Sequence, residues 1–121
     1  MNTSDIYCDK ILKGLLPVKI VAETNDVLAF EHSNPYWPIH IVVIPKKHIE
    51  SLTTISEQEE HILVDLIKVA RKICKEIEDR VGGCRMSTNI GSLQSSKHLH
   101  FYIHSGKRLR NEDGSPIGTE H

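Results

Sequence analysis

Three of the eight histidines in this chain stand at 98, 100 and 104, inside the run HLHFYIHSG. An imidazole has an ordinary pKa near 6.5, so at neutral pH it offers a nitrogen that can attack phosphorus, relay a proton or bind a metal. Leu99, Phe101 and Ile103 alternate with these polar positions, the period of a strand with one apolar face. On that pattern His98, His100, Tyr102 and His104 share the open face, with neighbours about 6.6 Å apart. Two imidazoles at that spacing can surround one small anionic group.

Three uses compete. A solvated strand face accounts for a lone histidine, but poorly for three of them beside a phenol. A metal site takes two ligands easily from alternate residues of one strand; a third comes awkwardly, and no carboxylate or thiolate nearby completes the set. Chemistry on phosphorus, with one imidazole attacking while its neighbours hold charge, suits the cluster best.

Such a strand needs a scaffold, and the rest of the chain supplies one. VKIVAE and DVLAFEH are β-rich runs joined by TND, a hairpin pattern. SNPYWP must be a loop, because Pro35 and Pro38 break ladders. IHIVVIPKKH reads as a strand buried on both faces and stopped by Pro45. Ser56 and Glu59 form a capping box. Behind it Ile62, Leu66, Val69, Ile73 and Ile77 recur at helical spacing until Gly82-Gly83 ends a helix of roughly 25 residues. CRMSTNI and KHLHFYIH follow as strands, joined by the polar turn GSLQSS. Ser4, Gly14 and Pro17 punctuate a short N-terminal helix. The order predicts an α+β fold, a mainly antiparallel five-stranded sheet with one long helix. A single domain over 1–106 and a polar tail over 107–121 complete the division.

With 39% hydrophobic and 26% charged residues and a formal charge of −1, the chain is an ordinary globular domain with no electrostatic case for nucleic acid or membrane. Cys8, Cys74 and Cys84 are odd in number and lack CxxC spacing, and MNTSDIYCDKILKGLLP is too charged for a signal peptide. Both point to a cytoplasmic location.

HLHFYIH resembles the signature of the histidine triad (HIT) superfamily, alternating histidines with apolar residues between. The likeness extends along the chain. The segment from Asp9 to Leu52 is similar to the N-terminal half of the Hint branch, with its LAF strand, proline-rich loop and HIVVIPKKH run. STNIGSLQSSKHLH resembles that branch's Asn-X-Gly…Gln-Ser-X-X-His-X-His segment.

The resemblance implies the same α+β fold, a homodimer, and hydrolysis of a nucleoside monophosphate joined to an amine or acyl group; a slow or non-catalytic nucleotide-binding module is its alternative. Carried over by position, His100 is the nucleophile that forms a nucleotidyl-histidine, and His98 orients it and binds phosphate. Ser95 bonds the leaving group, and Asn89 contacts phosphate or ribose. Gln94 belongs to the same loop, and His40 lies close to the triad. Ile11, Phe30 and Val42 wall the nucleoside, and His32 stands where an acidic residue usually holds the ribose. The third triad position is Tyr102, a phenol with no positive charge near neutrality; some branches carry glutamine there and remain active. His104 lies about 6.6 Å further along the strand and does not replace the missing imidazole. The loop before His98 is about two residues short. Ile6 to Asp9, IYCD, lacks the CxxC that opens a zinc site in some bacterial members, so no metal and no cofactor is expected.

Overall fold

A computed structural model describes residues 11–14 and 17–111; the predicted N-terminal helix lies mostly outside them. β1 (Ile20–Glu23) and β2 (Val27–Glu31) form the expected hairpin. Its turn is locked by Thr24, whose Oγ1 accepts from the Val27 N–H at 3.0 Å and donates to Asp65 at 2.6 Å. β3 (Ile39–Pro45) pairs antiparallel with β2, and β5 (Phe101–Ser105) pairs antiparallel with both β3 and β4 (Arg85–Ser87). The sheet is fully antiparallel in the order β1-β2-β3-β5-β4.

One helix, α1 (Glu60–Val81), covers one face of this sheet, and a 3-10 turn at Glu57–Glu59 leads into it. The Glu59 carboxylate accepts from the Ser56 N–H at 3.0 Å, half of the capping box read from the sequence. Every member of the stripe Ile62, Leu66, Val69, Ile73 and Ile77 is buried, and Gly82 ends the helix at φ +100°. The stripe packs on Val27, Ala29, Ile41 and Val43, and on Leu99, Phe101 and Ile103, the apolar half of the histidine run. Burying one such side chain is worth about 1.5–3 kcal/mol, so this face fixes the register of β5 and hence the placement of its polar side.

Across the sheet a second, smaller cluster joins Ile11, Leu28, Phe30, Val42 and Ile44, with Tyr102 against it. Gly106 closes β5 at φ +96°, where an added Cβ would stand 2.9 Å from Pro38. Only glycine permits that turn. The chain does not leave the domain there. Leu109 donates its N–H to the Tyr36 carbonyl at 2.7 Å and Arg110 Nε reaches the Pro35 carbonyl at 3.1 Å. Among the described residues no helix is long and apolar enough to cross a membrane.

Candidate active site

The expected strand through all of KHLHFYIH starts late. β5 begins at Phe101, and His98 to His100 take irregular backbone. The partners of this stretch explain why. Leu99 gives its N–H to the Ile49 carbonyl at 2.6 Å, and Thr88 Oγ1 donates to the His100 carbonyl at 2.6 Å. Loop groups thus occupy positions that a neighbouring strand would have filled.

The imidazoles are not turned to solvent, which corrects the sequence reading. His98 is 0% and His100 1% exposed. The bend folds both rings inward, where backbone oxygens receive them. His98 Nε2 lies 2.9 Å from the Pro45 carbonyl, with the ring of His48 edge-on at 5.3 Å. His100 Nδ1 lies 2.8 Å from the His98 carbonyl. A carbonyl can only accept, so both of those ring nitrogens carry the proton. In its neutral form His100 therefore holds its lone pair on Nε2, a tautomer fixed by the backbone of its neighbour.

Tyr102 follows on the sheet face away from α1. Its ring lies 4.8 Å from His100 and 4.9 Å from His40. His40, at the start of β3, sits opposite His104 in the register and is buried. Its Nδ1 accepts from the Tyr36 N–H at 3.0 Å, which places the ring proton on Nε2, a buried atom with no hydrogen-bond partner among the described residues. Burial, then the nearby His32 and His104, push its pKa down to about 3. His32 stacks on it at 4.3 Å, and its own pKa is lowered by burial and by His100.

His104 stacks on Trp37 at 3.8 Å, and the Arg108 guanidinium lies 5.2 Å from the indole centroid. Burial, with Arg85 and Arg108, lowers the His104 pKa. The proline-rich loop is thereby held from behind by Arg108 and Arg110, just after β5. Loop packing accounts for Trp37 and Tyr36, and for His104. Neither Arg108 nor the backbone clamps at Ile49 and Thr88 was singled out, although Ile49 and Thr88 lie within segments that carry the family likeness.

Before the triad, Gln94 is buried, with both ends of its amide engaged. Nε2 donates to the Glu50 carbonyl at 2.8 Å and the Ser96 carbonyl at 3.2 Å, and Oε1 accepts from the Gly91 N–H at 3.2 Å. It holds the loop from within. Ser95 is exposed at the loop surface and Asn89 half-buried. Ile11, Phe30 and Val42 come together in the apolar cluster beside Tyr102, and a cavity of about 400 Å³ opens over Ile11 and Leu28. Among the described residues no three His, Cys, Asp or Glu side chains converge as metal ligands.

Comparison with known proteins decides the family. The HIT domain matches residues 13–109. The chain belongs to the HIT family. A solved histidine triad protein from Clostridium difficile is 42% identical, covering 92% of this chain and 97% of its own, with a TM-score of 0.75. A HIT family hydrolase from Legionella pneumophila Philadelphia 1 is 28% identical, covering 88% and 96%, with a TM-score of 0.76. A hypothetical histidine triad nucleotide-binding protein from Sulfolobus tokodaii is 32% identical, covering 83% and 67%, with a TM-score of 0.73. The five-stranded antiparallel sheet and long helix are those of the HIT fold.

Proposed function

We propose that this HIT protein hydrolyses nucleotides through a covalent intermediate on His100, cleaving a nucleoside monophosphate from an amine or a related leaving group. Family membership, and relatives described as a hydrolase and as nucleotide-binding, support the coarse activity. The observation that carries the finer reading is the 2.8 Å contact from His100 Nδ1 to the His98 carbonyl, which sets the neutral tautomer with its lone pair on Nε2. An attacking nitrogen needs that lone pair and a fixed ring.

In the first step Nε2 attacks the α-phosphorus, the bond to the leaving group breaks, and the departing amine takes a proton. Ser95, which is exposed on the loop, is assigned the hydrogen bond to that group. In the second step water attacks the nucleotidyl-histidine and frees the monophosphate. His98, whose carbonyl fixes the His100 ring, orients the nucleophile; Asn89 holds the phosphoryl group and His40 borders it. Tyr102 donates its phenol to a phosphoryl oxygen, while Ile11, Phe30 and Val42 wall the nucleoside and His32 faces the ribose. Because His100 is buried, substrate reaches it only as neighbouring side chains give way, and half-exposed Tyr102 is the nearest entry. The chain acts as a cytoplasmic homodimer: Cys74 and Cys84 are free thiols, and β4 is an exposed sheet edge.

Adenosine 5′-phosphoramidate, rapid quenching and intact mass measurement test this. The expected result is an added adenylyl mass and released monophosphate, both lost in a folded His100→Ala variant. An adduct that survives that substitution overturns the assignment. The burial of both imidazoles favours one second reading, a nucleotide-binding module without turnover. It predicts that nucleotide raises Tm while no monophosphate is released.

A further inference from the structure

The bend from His98 to His100 is gripped from two sides. On the β3 side the Pro45 carbonyl receives His98 Nε2 at 2.9 Å, and the Ile49 carbonyl receives the Leu99 N–H at 2.6 Å. On the β4 side the partner is a side chain. Half-buried Thr88 stands one residue beyond Ser87, which pairs with Tyr102 at the end of β4. Its Oγ1 donates to the His100 carbonyl at 2.6 Å. His100 is thus anchored at both of its ends, by Thr88 at the backbone carbonyl and by the His98 carbonyl at ring Nδ1, 2.8 Å away. A ring fixed only at Nδ1 can still move with its backbone; the second anchor sets where Nε2 stands.

We propose that Thr88 is a positioning residue for His100, its hydroxyl locking the carbonyl of the nucleophile so that Nε2 is aimed at the phosphorus of a bound nucleotide. The assignment rests on His100 as the attacking residue, and Thr88 acts through it rather than on substrate. Attack on phosphorus needs the lone pair in line with the departing group, and a misplacement of about 1 Å costs up to about a hundredfold in rate. Asn89, assigned to the phosphoryl group, is the next residue in the chain, so the same hydrogen bond spaces it from the nucleophile. The contact is internal to the domain and requires no open surface. It governs the aim of the ring and leaves the apolar wall of Ile11, Phe30 and Val42 untouched. Its loss therefore falls on kcat and spares KM. A hydroxyl, unlike a ladder amide, can be removed by one substitution that keeps the branched shape at Cβ.

Thr88→Val keeps the shape and removes the donor, whereas Thr88→Ser keeps the donor. Two measurements on the full chain separate this assignment from the reaction it serves. The first needs no turnover: long-range proton–nitrogen NMR spectra of the imidazoles, with the His100 ring assigned by its loss in His100→Gln. Parent and Ser variant should show one His100 ring protonated at Nδ1; the Val variant should show that ring exchanging between tautomers. The second is rapid-quench kinetics with adenosine 5′-phosphoramidate. In the Val variant kcat should fall about tenfold while KM stays within about twofold, and the Ser variant should recover most of the parent rate. A Val variant whose His100 ring matches the parent's, or a Ser variant as slow as Val, overturns the proposal. A parent that never forms the adenylyl adduct removes His100 as nucleophile, and the ring spectra alone then decide for or against Thr88. Should Thr88→Val not fold, Thr88→Ala also lacks the donor and takes its place in both measurements.

Discussion

The ring of Tyr102 lies 4.8 Å from that of His100, tilted by 56°, at the position where resemblance to the histidine triad signature expects a third imidazole. A phenol there can donate one hydrogen bond but supplies no charge at neutral pH. Tyr102→Phe should therefore lower kcat/KM for a nucleoside phosphoramidate by about ten- to a hundredfold, the scale of losing one donor to developing phosphoryl charge. Tyr102→His should raise kcat. Steady-state kinetics on both variants decides the matter; a Phe variant as active as the parent removes the phenol from the reaction.

Gln94 yields a separate prediction, because its amide holds three backbone groups of the loop that leads into the triad. Gln94→Ala strips all three of their partner in a site only 9% exposed. At about 1 kcal/mol for each buried hydrogen bond, urea denaturation should show a loss of about 2 kcal/mol or more. Gln94→Glu should cost at least as much, since its carboxylate would face the Glu50 and Ser96 carbonyls without a donor. If the amide instead serves substrate alone, stability stays at the parent value while KM rises.

The sheet and the helix were legible because periodicity reports burial directly. The stripe from Ile62 to Ile77 and the alternation of Leu99, Phe101 and Ile103 face one another across a single core. The triad's surroundings were not. Alternation continued back to His98 predicts an open strand face, but the Ile49 carbonyl and Thr88 hydroxyl that bend the backbone there lie far off in sequence. Side-chain spacing carries no record of where a loop's carbonyl will arrive. Likewise nothing in GKRLR announces that Arg108 would lie over Trp37. The apolar wall of Ile11, Phe30 and Val42 was readable only through family resemblance, since those residues belong to three separate segments.

The His32–His40 pair sets the response to acid. Both rings stack at 4.3 Å, both pKa values are lowered, and that of His40 falls to about 3. The Tyr36 N–H already uses the His40 Nδ1 lone pair, so protonation would break that hydrogen bond as well as bury a charge. In the unfolded chain the same imidazole titrates near 6.5. Acid therefore protonates the unfolded state first. The contribution of His40 is complete above about pH 6.5 and declines as pH falls toward 3, with a slope of up to about 1.4 kcal/mol per pH unit. The lowered His32 and His104 act in the same direction. Tm should hold level above neutrality and drop between about pH 6.5 and 5, before most carboxylates take up protons. His40→Asn keeps an acceptor near the Nδ1 position and removes the titration, so its Tm should fall less steeply across that window. Parallel slopes for parent and variant would show that His40 is protonated in the fold at its ordinary pH.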